Sequence, residues 1–137
     1  MMTRSKLFLT FVVAMIVALG VGYAWGASGR FSIQRALDES RQQLDLAEAR
    51  GRILDARVSL YNVNFGDASR NFEEAKTALR RVRERYQETG KSDAAASIEA
   101  AIRHVEEAQR LSGTLDPASN GKAGEALEAI KVATSKS

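Results

Sequence analysis

LFLTFVVAMIVALGVGYAWGA, Leu7 to Ala27, is the stretch whose reading decides the architecture: 21 consecutive residues without a charge. At about 1.5 Å of rise per residue such a helix spans the roughly 30 Å hydrocarbon core of a bilayer. Ten of the 21 are Leu, Ile, Val or Phe. Each contributes about −0.3 to −0.6 kcal/mol at the centre of a span, which offsets Gly20, Gly22 and Gly26. The reading is a transmembrane signal-anchor. Its rival is a cleaved signal peptide, with Arg4 and Lys6 as the positive leader and Ala24-Trp25-Gly26 as a loose cleavage site. Against cleavage stand the length of the apolar run and the bulky Tyr23 and Trp25 where small residues are needed.

Tyr23 and Trp25 suit the aromatic belt at headgroup level, which marks one boundary of the span. Arg4 and Lys6 flank the other boundary, so the positive-inside rule puts the N-terminus in the cytoplasm and exports the remainder, into the periplasm in a Gram-negative cell. Ala14, Ala18, Gly22 and Gly26 recur every four residues, a small-residue stripe that lets another helix pack closely within lipid. The expected divisions are a cytoplasmic N-terminus at 1–6, the span at 7–27, a joint at 28–32, an exported α-helical domain at 33–134 and a frayed tail at 135–137.

Outside the span the chain is almost neutral. From residue 30 onward lie 18 of the 20 basic residues and all 17 acidic ones, leaving +1 of the total +3. Without a clustered positive field there is little to displace counterions from a polyanion, so nucleic acid is not an expected partner. The absence of cysteine removes disulfides, thiolate metal sites and a thiol nucleophile.

Ile33, Leu37, Ser40, Leu44, Ala47, Gly51, Leu54, Val58 and Tyr61 alternate spacings of four and three, which places them on one helix face. Charged residues of both signs occupy the other side. Asn62 to Asp67 is helix-averse and predicts a turn, with Asn64 capping a second helix and Asp67 near its positive end. Ala68, Phe72, Ala75, Leu79, Val82 and Tyr86 continue the pattern up to Gly90, a good C-terminal cap. Leu37, Leu44, Leu54, Val58, Tyr61, Phe65, Phe72, Leu79 and Tyr86 form the predicted buried seam. Because the heptad phase passes through Phe65 unbroken, one continuous coiled-coil rod competes with an antiparallel hairpin.

A second, shorter pair follows. Ser92 or Asp93 caps a helix through Ile98, Ile102, Val105 and Gln109 that ends near Gly113; Asp116-Pro117 then reopens the chain, Pro being tolerated in a first turn, with the last helix starting only near Lys122 if Asn120-Gly121 is still turn. The fold class is therefore all-α: one transmembrane helix followed by antiparallel helical hairpins. Phe65, Ala68, Phe72 and Ala75, inside Asn64–Ala75, have the aromatic-small-aromatic-small spacing of the second helix of a tetratricopeptide repeat. Leu115-Asp116-Pro117 is similar to that family's inter-repeat tripeptide. The resemblance covers residues 52–89 and implies a repeat-like hairpin with a concave peptide-binding surface, a four-helix bundle being the other form such hairpins take. Arg52 and Asp55 depart from the family's bulky positions, and no 34-residue period is visible.

No constellation for chemistry emerges. His104 stands alone with Glu107 nearby, short of a metal site or an acid–base pair. Glu73-Glu74 and Glu106-Glu107 diverge around their helices, and no phosphate loop or nucleophile elbow occurs. Lys76, Arg80, Arg81, Arg83 and Arg85 form one basic concentration, either complementing a helix dipole or meeting an anionic partner. The expectation is a non-enzymatic, membrane-anchored interaction or scaffold module with no cofactor, a protein partner and self-association among its options. The alternatives are a coiled-coil homodimeric spacer and an accessory subunit docked through the small-residue stripe.

Overall fold

The computed structural model describes residues 4–137; residues 1–3 of the expected cytoplasmic segment, and the side chains of residues 4, 5, 7 and 28, lie outside the described residues. Four helices follow in order: α1 (Arg4–Tyr61), α2 (Phe65–Glu88), α3 (Ser92–Gly113) and α4 (Ala118–Ser135). Among the described residues there is no strand. The chain divides into two compact units, Met1–Glu39 and Ser40–Ser137.

In the first unit, α1 carries the apolar run. Within Phe8–Tyr61 an 18-residue window has a mean hydropathy of 2.1 and none of it is buried in the chain, so this helix is long and apolar enough to cross a membrane. The expected joint at 28–32 is helical throughout. Gly26 and Gly29 each cost about 1 kcal/mol in a helix interior, but adding residues to a formed helix is far easier than starting one.

In the second unit, three short connections share one backbone solution. Asn64 N–H donates to Ser59 O at 2.8 Å, Lys91 N–H to Tyr86 O at 2.8 Å and Asp116 N–H to Leu111 O at 2.9 Å. Each is the wide bond of a Schellman motif, which satisfies carbonyls left over at a helix end. The residue before each donor is left-handed: Val63 (φ 57°), Gly90 (φ 74°) and Leu115 (φ 58°). Gly90 is expected there; Val63 and Leu115 are not.

Asn64 caps α2, its side chain accepting from the Asp67 N–H at 3.2 Å. Helix α3 starts at Ser92, with Lys91 at the cap position and no side-chain cap, so neither Ser92 nor Asp93 takes the capping role expected of it. Helix α4 starts a full turn earlier than Lys122. Asp116 Oδ1 accepts from the Ala118 N–H at 2.9 Å, and the buried Ser119 hydroxyl donates to Ala108 O at 2.7 Å, which fixes that turn against α3.

The break at residues 62–64 excludes one continuous rod. Ion pairs set the register of neighbours: Arg81 and Arg85 meet Asp45, while Arg52 meets Glu74 at 2.8 Å, so α2 descends as α1 ascends. Arg83–Glu99 and Gln109–Ser69 give α2 and α3 the same opposed sense, as His104–Glu125 does for α3 and α4. Helix α4 also reaches α1, through Arg57–Asn120 at 2.6 Å and Arg50–Thr134 at 2.9 Å.

The core between them is built largely from alanine: Ala49, Ala56, Ala68, Ala75, Ala78, Ala94, Ala95, Ala101, Ala108, Ala123, Ala126 and Ala133 make up 12 of its 22 residues. Small side chains bring helix axes to the near end of the roughly 8–10 Å range. Phe72, Leu79 and Tyr86 fill it from α2 with no exposure, and Phe65 is half-buried.

The α1 part of the predicted seam requires correction. Leu37, Leu44, Leu54, Val58 and Tyr61 are all exposed. The face turned inward is Asp45, Leu46, Ala49, Ile53 and Ala56, with Leu60 packed at its end. Both stripes alternate spacings of three and four on opposite sides of one helix. Each stripe mixes sizes: Leu46, Ile53 and Leu60 alternate with Ala49 and Ala56 inside, and Leu44, Leu54, Val58 and Tyr61 with Ala47 and Gly51 outside.

Candidate functional site

The connections α1–α2 and α3–α4 lie at the same end of the helical body, and between them opens a cleft of about 350 Å³. Its walls are Leu60 and Tyr61 at the end of α1, Phe65 at the start of α2, Leu115, Asp116 and Pro117 from the second connection, and Ser119 and Asn120 from the first turn of α4. The lining is mainly apolar, with Asp116 and Asn120 among its polar members. Asn120 is held by the Arg57 guanidinium at 2.6 Å, and Asp116 is held by its bond to the Ala118 N–H. These polar groups are therefore oriented before anything binds.

Tyr61, Val63 and Leu115 are exposed around this end. Left-handed backbone at a β-branched or bulky residue costs about 1–2 kcal/mol relative to glycine, and such strain persists where its surroundings over-determine it. At the opposite end of the body, the equivalent position is the unstrained Gly90. The two strained turns are thus the two that present apolar side chains beside the cleft.

The basic concentration on α2 is not an open patch. Lys76 pairs with Glu73 at 2.7 Å, Arg80 with Glu106 at 4.0 Å, Arg81 with Asp45 and Glu48 at 2.9 Å, Arg83 with Glu99 at 2.6 Å, and Arg85 with Asp45. The four arginines fan out around α2 toward α1 and α3 and pair between helices, whereas Lys76 pairs along α2 itself. The Arg81 guanidinium is held charged above its usual range, first by its hydrogen bond to Asp45. Asp45 itself is nearly buried between the two arginines.

Of the small-residue stripe, Gly22 and Gly26 line a notch of about 450 Å³ with Tyr23, Arg30, Phe31 and Gln34, while Ala14 and Ala18 are exposed. Tyr23 and Trp25 are exposed as well. His104 Nδ1 lies 3.0 Å from Glu125, which also takes Lys122 at 2.8 Å. The Glu125 carboxyl is lowered from its ordinary value, chiefly by the Lys122 hydrogen bond. Among the described residues no group of three or more His, Cys, Asp or Glu could hold a metal ion.

Sequence reasoning found Tyr61 and Phe65 but assigned both to a buried seam, and it missed Leu115 as a surface feature. The available signal was the pair of turns ending in Val63-Asn64 and Leu115-Asp116, each with an apolar residue where a helix normally ends in glycine. No family model matches the chain, and neither a curated protein nor a solved structure matches it.

Proposed function

We propose that this chain is a membrane-anchored helical interaction module that seats an apolar side chain of a partner polypeptide in the cleft between its α1–α2 and α3–α4 turns. The observation that carries this reading is the cleft itself: preset polar groups in a mainly apolar lining, beside two strained turns that hold Val63 and Leu115 in solvent. Apolar residues kept at strained, exposed positions have no evident part in packing, whereas a binding surface uses them directly.

The apolar run of α1 acts as the anchor. The charge flanking it argues for export of the helical body, and tethering raises the local concentration of that body at the membrane surface. For the body we infer an up-down-up-down four-helix bundle. Arg57–Asn120 and Arg50–Thr134 join the first and last helices, a closure that an open repeat array of the tetratricopeptide type lacks.

The test is a photo-crosslinking amino acid at position 115 of the full chain in its native membranes, with the same group at the exposed position 96 on α3 as control. Position 115 should yield one discrete adduct with a second polypeptide, lost when Tyr61→Asp places a charge in the cleft. Equal adduct patterns at 115 and 96, or an adduct indifferent to Tyr61→Asp, would refute the cleft as a contact surface.

A further inference from the structure

The outer stripe of α1 is the feature left without a role. Within the compact unit, Leu44 is 66%, Leu54 49%, Val58 58% and Tyr61 76% exposed, on the side of the helix opposite Leu46, Ala49, Ile53 and Ala56. Their positions, with Ala47 and Gly51, follow an unbroken heptad. Leu44, Gly51 and Val58 occupy one seam position, and Ala47, Leu54 and Tyr61 the other. A stripe of this form buries itself against a second helix with the same repeat. Nothing lies within 4 Å of a Cβ built on Gly51, so the middle of the stripe is open to close approach by another backbone.

The flanking charges select the partner and its direction. On one flank stand Arg50 and Arg57, and on the other Glu48 and Asp55. In a parallel, in-register pair of identical helices each residue of the first flank faces the residue five positions later in the other copy. Arg50 then meets the second copy's Asp55, and symmetry repeats the pair. Arg57 meets Asn62 and Gln43 meets Glu48, so no like charges oppose. An antiparallel pair would instead set acids against acids and arginines against arginines. Asp55 has no ion-pair partner among the described residues, and Arg50 bonds only the neutral Thr134 hydroxyl.

We propose that the outer face of α1 between Leu44 and Tyr61 pairs with the same face of a second copy of this chain, parallel and in register, fixed by Arg50–Asp55 pairs. The parallel sense rests on the flanking charges, and neither the anchoring reading nor the cleft reading is required.

The chain has no cysteine, which makes single-cysteine variants of the full protein in membranes the direct test. In the parallel pair, identical seam positions approach within the roughly 4.4–6.8 Å Cα separation that a disulfide bridges. Mild oxidation of Leu44→Cys, Leu54→Cys and Val58→Cys should each shift the chain to dimer mass. Thr77→Cys on α2 and Ala96→Cys on α3 should remain monomeric. Asp55→Arg should abolish the Leu54→Cys crosslink, and adding Arg50→Asp should restore it. Dimer at no seam position, dimer equally at positions 77 and 96, adducts only with other proteins, or no rescue by the charge swap overturns the proposal. Fractionating the same samples reports anchoring separately, and the crosslinks decide the pairing whichever fraction holds the chain.

Discussion

Replacing Val63 and Leu115 by glycine tests whether the two turns beside the cleft carry strain in exchange for exposed apolar surface. Both residues sit near φ 57°. Left-handed backbone at a non-glycine residue costs about 1–2 kcal/mol, so glycine recovers about that much at each site. Against it stand the greater freedom of glycine in the unfolded chain, about 0.5–1 kcal/mol, and whatever burial the side chain loses. Val63 is 69% and Leu115 65% exposed, so only about a third of a side chain worth roughly 1.5–3 kcal/mol is out of water. The central values cancel, so the balance is about 0 kcal/mol per site, and the Tm of the double variant should stay within a few degrees of the parent.

That neutrality is unusual, because most substitutions of apolar residues by glycine destabilise by about 1 kcal/mol or more. Thermal melts of the full chain in micelles, followed by helical circular dichroism, measure it. Gly90→Val is the mirror control: its φ of 74° should make that variant less stable by about 1 kcal/mol or more. The same Val63→Gly and Leu115→Gly substitutions should weaken the partner adduct proposed for the cleft. A fall in Tm of several degrees for both would refute the reasoning, since it would mean that these side chains are packed rather than displayed.

Two further outcomes follow from named groups. The Tyr86 hydroxyl is buried with no hydrogen-bond partner among the described residues, and leaving a polar group so costs about 1–3 kcal/mol; Tyr86→Phe should therefore raise the urea midpoint, and a lowered midpoint would show the hydroxyl to be satisfied. The Glu73 carboxyl is held below its ordinary value, first by the Lys76 hydrogen bond and then by Gln109, and those of Glu107 and Glu125 are lowered by Arg110 and Lys122. A depressed folded value stabilises fully above the ordinary carboxylate value, about pH 4.3, and is lost as pH falls through the folded value; melting temperature should decline as pH is lowered from 5 to 3, and a flat profile would contradict these pairings.

Much of the second helix was legible because one pattern had one meaning there. Phe72, Leu79 and Tyr86 are the large residues of an otherwise charged helix, and Asn64 and Gly90 punctuate it chemically. Helix α1 was harder because it has two stripes in the same rhythm. Periodicity reports that a face exists, and size then favours Leu44, Leu54 and Val58 over Ala49 and Ala56. Which face turns inward depends on the volume available among the other helices, a property of several segments that no single stretch carries. The cleft was illegible for a related reason: Tyr61 and Leu115 are 54 positions apart. The arginines of α2 looked like a cluster because their acidic partners, Asp45, Glu48, Glu99 and Glu106, lie on other helices.

The alanine interior and the displayed outer stripe are two sides of one arrangement. A helix whose inner face sets Ala49 and Ala56 between Leu46, Ile53 and Leu60 gives modest burial at its alanines, since each buried methylene contributes about 0.8 kcal/mol and alanine has few to offer. Burying Leu44, Leu54 and Val58 inside instead would force the helices apart and open cavities between the alanines of α2, α3 and α4. Leu44, Leu54 and Val58 therefore stay outside an interior already filled by its own close packing, and they remain for contacts between molecules. On this argument, widening the interior by Ala75→Leu should loosen the body without hiding the outer stripe, because room for one large side chain does not turn α1 over. Loss of the Leu54→Cys crosslink in that variant, with helicity retained, would show the two faces to be interchangeable and would defeat the argument.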